Sequence, residues 1–105
     1  MHSSRLIQLQ NMLKSSPNDS FLLFALAKEY EKSNDLAEAL VHYLALESVE
    51  PHYVGLYYHK GKLQERLQQT DQAIDTYIKG VEMALQAKDM HAASELRGAL
   101  MELEE

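Results

Sequence analysis

Apolar residues recur along the chain at intervals of three and four, the spacing that places them on one face of an α-helix. Leu22, Ala25 and Leu26 show it clearly, and short polar segments interrupt the pattern five times. The pattern predicts an all-α fold, because the apolar positions follow the period of a helix and not that of a strand. The six predicted helices cover residues 4–14, 19–32, 35–49, 53–67, 70–86 and 90–103.

Residues suited to helix ends occupy the polar breaks. Asn34 follows the second predicted helix and can adopt the left-handed conformation that ends a helix. Asp35 and Glu38 have the spacing of a capping box for the third helix. Pro51 follows that helix, since proline cannot continue a helix without losing a hydrogen bond. The other candidate caps are Thr70 or Asp71 for the fifth helix and Asp89 for the sixth.

The chain repeats itself at an offset of 34 residues. At this offset Ala39 corresponds to Ala73, and Tyr43 corresponds to Tyr77. Two unrelated helical segments share apolar positions easily, but they do not share small residues, prolines and charges in one register. The repeat therefore indicates two copies of one helix-turn-helix unit. Further matched pairs are Pro17 with Pro51, Leu23 with Tyr57, Ala27 with Gly61, Lys28 with Lys62, Glu31 with Glu65, and Lys32 with Arg66.

The repeated unit resembles the tetratricopeptide repeat family, whose 34-residue signature combines a tryptophan-like residue, Leu-Gly, Tyr, Ala-x-x-x-Phe and Pro. In the first repeat the motif positions hold Leu23, Leu26, Ala27, Tyr30, Ala39, Tyr43 and Pro51. In the second repeat they hold Tyr57, Gly61, Ala73 and Tyr77, while Lys60, Gln64 and Leu85 replace the motif leucine, tyrosine and proline. The resemblance spans about residues 17–88 and implies a right-handed solenoid of antiparallel helix pairs.

The predicted organisation is a single domain over residues 1–105. Two repeats need neighbours to bury their faces, and the flanking helices supply them. Ala39 and Ala73 are expected where neighbouring helices cross closely, with the tyrosine one turn later filling the adjacent gap. The expected parts are a capping helix at 4–16, repeats at 20–53 and 54–87, and a second capping helix at 89–105.

Composition removes several classes of function. The formal net charge of −6 argues against nucleic acid as a partner, because phosphates require a basic face. The chain has no cysteine, which excludes disulfides and cysteine-ligated zinc. No stretch approaches the roughly 18 apolar residues of a membrane span, and the first residues do not have the pattern of a secretory signal. We therefore expect a cytoplasmic protein with no membrane partner.

The sequence contains no recognisable constellation for catalysis or metal binding. Its histidines lack the spacing that places two ligands on one helix face, and its glycines are isolated rather than grouped in a phosphate-binding loop. We therefore expect no enzymatic activity, no cofactor and no metal site. The residues concerned are His2, His42, His52, His59 and His91, and Gly55, Gly61, Gly80 and Gly98.

The family resemblance implies a concave groove, lined by the first helix of each repeat, that takes peptides. In both repeats an aromatic residue is followed by two cations, one and two turns on. This pattern predicts an adaptor that binds a peptide segment of a partner protein and favours an acidic one. The alternative is a solvated helix face with local lysine–glutamate pairs. The groove positions hold Phe21, Phe24, Lys28 and Lys32 in the first repeat, and Tyr58, His59, Lys62 and Arg66 in the second.

One partner class of the family is not expected. Some tetratricopeptide repeat domains hold the C-terminal carboxylates of heat-shock chaperones with a clamp of lysine, asparagine and arginine. Phe24 occupies the place of the first clamp lysine, and Lys28 and His59 occupy two asparagine places. The clamp is therefore absent.

The alternative function is structural, a self-associating homodimer with no peptide ligand. The last predicted helix carries an apolar stripe through which two copies could pair. The same helix also carries glutamates that two copies would have to bring together, so a monomer is favoured. The stripe consists of Ala92, Leu96, Ala99 and Leu103, and the glutamates are Glu95, Glu102, Glu104 and Glu105.

Overall fold

The computed structural model describes residues 3–104, which form six α-helices and no strand; His2 and Glu105 lie outside the described residues. Every helix begins and ends within two residues of its predicted bounds, and the all-α prediction is confirmed. The helices are α1 Ser4–Ser15, α2 Ser20–Lys32, α3 Leu36–Val49, α4 Gly55–Arg66, α5 Thr70–Gln86 and α6 Met90–Leu103.

Side-chain caps begin three of the helices. The oxygens of Ser3, Asp19 and Asp89 accept hydrogen bonds from backbone N–H groups in the first turns of α1, α2 and α6. The cap at Asp89 is the one predicted from sequence. Asp35 precedes α3, but its side chain makes no capping hydrogen bond, so the predicted capping box does not form. The predicted cap of α5 is also wrong, because Gln69 holds the N-cap position and Thr70 is already inside the helix.

Three helices end in the same left-handed turn. Asn34, Gln68 and Lys88 have φ angles of 60°, 61° and 59°, and the left-handed conformation predicted for Asn34 is confirmed. After each of them a backbone N–H bonds to a carbonyl five residues earlier, as in Asp35 N to Tyr30 O at 2.8 Å. This pattern is the Schellman motif, and it lets the next helix begin immediately after the turn.

The chain divides into two compact units, Met1–Glu50 and Pro51–Glu105. In the first unit α2 packs against α1 and α3, and in the second α4, α5 and α6 pack against one another. The predicted burial of Ala39 and Ala73 is confirmed, since both are completely inaccessible to solvent. Completely buried large side chains are Leu6, Leu26, Tyr43 and Leu46 in the first unit, and Leu56, Tyr57, Leu63 and Tyr77 in the second.

Polar residues replace the motif residues inside the second unit, and a hydrogen bond explains one replacement. Gln64 is buried where the first repeat has Tyr30, and its amide oxygen accepts a 2.6 Å hydrogen bond from the Thr76 hydroxyl. Tyr30 itself accepts a 2.6 Å hydrogen bond from the Gln10 amide. Both positions therefore meet the requirement that a buried polar group has a partner. Lys60, in the place of the motif leucine, is also buried, with 6% of its surface exposed.

Two glycines permit close approaches within the second unit. A Cβ atom on Gly61 would lie 2.2 Å from Cε1 of the Tyr77 ring. A Cβ atom on Gly80 would lie 2.6 Å from Cβ of Tyr57 and 3.1 Å from both δ-carbons of Leu96. These positions need a residue without a side chain, because the large buried side chains occupy the space that a methyl group would take.

Candidate peptide-binding surface

The four groove residues predicted in the first repeat lie on α2. Their spacing of three, four and four residues places Phe21, Phe24, Lys28 and Lys32 on one face of that helix. Phe21 is 65% exposed, an unusually open position for a phenylalanine. Lys32 is also exposed, whereas Phe24 and Lys28 are half-buried. All four side chains thus reach solvent on one side of α2.

The four groove residues predicted in the second repeat lie on α4. Tyr58, His59 and Lys62 are half-buried, and Arg66 in the last turn is exposed. Their positions fall within about 100° of the helix circumference, which again makes one face. Each unit therefore presents an aromatic and cationic face on the first helix of its repeat.

The first of the two cations on each face is paired with a glutamate that also contacts the core. Lys28 Nζ lies 3.9 Å from Glu31 Oε2, and the hydroxyl of Tyr43 in the next helix donates a hydrogen bond to the same carboxylate oxygen. We call this set, Lys28–Glu31–Tyr43, and its counterpart in the second unit the carboxylate tie. In the second tie Lys62 Nζ lies 3.6 Å from Glu65 Oε2, to which the Tyr77 hydroxyl donates.

The spacing of the lysines and glutamates predicts their pairing, but it does not predict the bonds to the tyrosines. By sequence alone, Glu31 and Glu65 suggest a solvated face, and Tyr43 and Tyr77 suggest apolar filling. The sequence nevertheless contains an indication of these bonds, because both glutamates and both tyrosines recur at the 34-residue offset. Since the lysines are partly neutralised by the ties, they contribute less free positive charge to the surface than their number implies.

The tyrosines of the ties are held in their neutral form. Burial raises the pKa of Tyr43 and Tyr77 well above the ordinary tyrosine value, and the neighbouring Glu31 and Glu65 carboxylates raise it further. Glu102 of α6 adds a smaller contribution at Tyr77. Each hydroxyl therefore remains a hydrogen-bond donor throughout the neutral range.

Aromatic contacts orient the rings at both faces. The Phe24 and Tyr43 rings meet edge to face with centroids 6.1 Å apart, and Tyr58 and His59 do so at 5.8 Å. The Lys62 ammonium lies 5.6 Å from the centroid of the Tyr58 ring, within the range of a cation–π interaction. These contacts limit the freedom of the half-buried rings and so reduce the entropy lost when a ligand orders them.

A pocket of about 140 Å³ lies between α4 and α6 in the second unit. Two of its residues, Tyr58 and Lys62, belong to the predicted groove. The α6 residues are not predictable as part of a site, because Glu95 and Glu102 stand in the sequence as charges on the solvated side of a terminal helix. The lining residues are Tyr58, Lys62, Glu95, Gly98, Ala99 and Glu102.

The described part of the chain contains neither a cluster of metal ligands nor a membrane-spanning helix. Between residues 3 and 104 there is no group of three histidine, aspartate or glutamate side chains that could hold a metal ion. None of the helices in this range is both long and apolar enough to cross a membrane.

Comparisons with known proteins give one consistent family. The tetratricopeptide repeat profile matches residues 54–87. In its solution structure, a tetratricopeptide repeat domain protein from Salinibacter ruber is 44% identical, with a TM-score of 0.80, over 84% of this chain and 89% of that one. The crystal structure of a tetratricopeptide repeat domain protein from the same organism is also 44% identical, with a TM-score of 0.78, over 82% and 97% of the two chains.

More distant structures share the fold alone. The TPR2B domain of yeast Sti1, solved in a complex with pHsp70, has a TM-score of 0.87 over 94% of this chain and 79% of that one, at 17% identity. A search of curated proteins gave no significant match. Tetratricopeptide repeat domains typically mediate protein–protein interaction and are typically non-enzymatic. On the identity and coverage of the Salinibacter ruber proteins, this chain belongs to the tetratricopeptide repeat family.

Proposed function

We propose that this protein is a non-catalytic adaptor that binds a segment of a partner protein through the aromatic and cationic faces of α2 and α4. The observation that carries the proposal is the repetition of the two faces. Each has an accessible aromatic residue followed by two cations, although the chain as a whole carries a net charge of −6. The absence of cysteine is consistent with work in the reducing cytoplasm.

An acidic segment is the proposed ligand of these faces. Lys32 and Arg66, in the last turns of α2 and α4, are the most exposed cations of the two faces, so the attraction depends mainly on them. The pHsp70 found in complex with the Sti1 domain is not the proposed ligand, since the residues expected for a carboxylate clamp are not present in this sequence. The proposed segment is instead recognised by aromatic contact and by charge.

Reversing the two terminal cations should abolish partner capture. We expect the double variant Lys32→Glu/Arg66→Glu to retain less than about a tenth of the partner that the parent protein captures from native extract, because two attractions become repulsions. Capture by the parent should itself weaken as salt rises, since exposed charges are screened over about 8–10 Å. Capture is quantified by mass spectrometry and then repeated with the purified partner.

Arg97→Glu is the matched control. Arg97 is exposed on α6, and its position is turned about 140–160° from those of Glu95, Ala99 and Glu102 on that helix. This reversal should leave capture unchanged. Lys28 and Lys62 are unsuitable for the test, because glutamate there would stand beside the carboxylates of the ties and weaken the fold. Full capture by the double variant would show that these faces do not bind the partner.

The alternative of self-association through α6 has little apolar surface available. Leu96 is 1% exposed and Ala99 is buried, so the middle of the predicted stripe is already covered. The apolar side chains of α6 that are more than half exposed are Met90 and Met101, at 56% and 66%. A pair of methionines is too small a patch for a stable dimer, which buries about 800 Å² on each partner.

We therefore expect a monomer in solution. Sedimentation equilibrium at low and high salt should give a 12.0 kDa species at both concentrations. If a dimer is observed, Met101→Glu would dissociate it in the case of an α6 interface, and the adaptor proposal would give way to the structural one. Leu96→Glu cannot serve for this test, because a charge at that buried position would unfold the second unit.

A further inference from the structure

The pocket between α4 and α6 has the size of a single side chain. Sites for small molecules and cofactors usually measure about 300–1,000 Å³, whereas a cavity of about 150 Å³ accommodates benzene. At about 140 Å³ this pocket is therefore too small for a cofactor and large enough for one long side chain. A pocket of this size therefore suits one amino-acid side chain of a bound segment.

The charges around the pocket favour a cation. Glu102 makes no hydrogen bond or ion pair with any described residue, and the partner of Glu95 is His91 at 3.8 Å, which pairs only when it is protonated. The single cation of the lining is Lys62, and it already shares its charge with Glu65. The pocket thus keeps an excess of negative charge, although it adjoins the cationic face of α4.

The shape of the pocket favours a flat cation. Glu95 and Glu102 are two helical turns apart on α6, about 10 Å along its axis, and Gly98 lies between them. A Cβ atom on Gly98 would meet nothing within 4 Å, so the space between the two carboxylates is open. On the α4 side the pocket is lined by Tyr58, whose ring has the Lys62 ammonium 5.6 Å from its centroid, and a planar guanidinium can make the same type of cation–π contact.

We propose that this pocket binds an arginine side chain of the partner segment, with its guanidinium against Tyr58 and paired with Glu102 or Glu95. This inference rests on the proposed function, because it supplies the segment that carries the arginine. It adds a requirement to that segment, which must carry a basic residue as well as the acidic ones that pair with Lys32 and Arg66. Arginine suits the pocket better than lysine, since its fork of donors can engage a carboxylate with two parallel hydrogen bonds.

N-acetyl-arginine amide is the probe for this site, and the isosteric but neutral N-acetyl-citrulline amide is its control. Titration into the ¹⁵N-labelled protein should shift the amide resonances of Gly98 and Ala99 saturably, with a Kd on the order of millimolar for a ligand of this size. The citrulline derivative should bind at least about tenfold more weakly, because it lacks the charge. Equal binding of the two probes, or no saturable shift with arginine, would overturn the proposal.

Substitutions of different lining residues should change the affinity for the arginine probe in opposite directions. Glu102→Gln should weaken binding of the arginine probe by about fivefold or more, and Gly98→Leu should abolish it by filling the open space. Lys62→Gln should strengthen binding, because it removes a like charge from the pocket, whereas it would weaken binding of any acidic ligand there. Stronger binding of N-acetyl-glutamate amide than of the arginine probe would refute the assignment.

Glu82→Gln is the matched control, since Glu82 is an exposed glutamate of α5 in the same unit and does not line the pocket. It should leave the affinity unchanged, and an unaltered circular dichroism spectrum for every variant excludes unfolding as the cause of lost binding. The probe is independent of the partner protein. A negative result here would remove the arginine pocket and leave the capture experiment with Lys32 and Arg66 to decide the adaptor role.

Discussion

Gly61→Ala is expected to lower the free energy of unfolding by about 1–3 kcal/mol, because the new methyl group would overlap the ring of Tyr77. The ring cannot move aside cheaply, since it is completely buried and its hydroxyl is bonded to Glu65. Alanine has the higher helix propensity by about 1 kcal/mol, and the steric cost must exceed that gain. Urea denaturation followed by circular dichroism measures the difference.

Gly98→Ala is the control for this prediction. Gly98 lies in α6, and a methyl group added there would meet nothing within 4 Å. The same substitution should therefore raise the free energy of unfolding by about 0.5–1 kcal/mol. The two variants together separate steric overlap from helix propensity. If Gly61→Ala is as stable as Gly98→Ala, the close approach between α4 and Tyr77 is not present.

The second large effect is expected in alkaline solution. The pKa of Tyr43 and Tyr77 is raised in the folded protein above its unfolded value near 10, so the folded state binds more protons at high pH. The stabilisation that this provides is complete below about pH 10 and is lost as the pH rises through the range between the unfolded and folded values. With two such groups, the free energy of unfolding should fall by about 2.7 kcal/mol for each pH unit well above pH 10.

Replacing one tyrosine by phenylalanine tests the origin of this loss. Tyr43→Phe should cost about 1–3 kcal/mol at neutral pH, because Glu31 loses a buried donor, and should remove half of the tyrosine contribution to the alkaline slope. Stability is measured by urea denaturation at intervals between about pH 7 and 11. Tyr77→Phe, the equivalent change in the second tie, should remove the other half of this contribution. An unchanged slope in Tyr43→Phe would mean that other groups control alkaline unfolding.

The helices and the small buried residues could be predicted from sequence because they depend on local periodicity and on repetition. Ala39 and Ala73 recur in one register, and a small residue at a helix crossing is a local requirement that the repeat makes visible. The left-handed turn at Asn34 was equally predictable, since asparagine tolerates that conformation. Gln68 and Lys88 adopt it without any such signal, because there the packing of the flanking helices overrides the preference of the residue.

The polar contacts and the pocket could not be predicted in the same way, because they join residues from different helices. Tyr43 lies 12 residues from Glu31, and the pocket brings α4 and α6 together at Tyr58 and Glu102. The burial of Leu96 likewise depends on contacts between helices. An apolar stripe on a terminal helix appears in sequence as an uncovered surface, and only the packing of α6 on α5 and α4 shows that its centre is filled.

The carboxylate tie bears on how the number of repeats could change by duplication of a segment. Each tie is complete within one unit, since its lysine, glutamate and tyrosine are separated by only three and twelve residues. Duplicating or deleting a 34-residue segment would therefore carry all three members of a tie together. In a repeat protein, whose stability is approximately a sum over its units, such a segment can be copied without redesign. The recurrence of glutamate and tyrosine at a fixed interval is the mark that such a duplication would leave in the sequence.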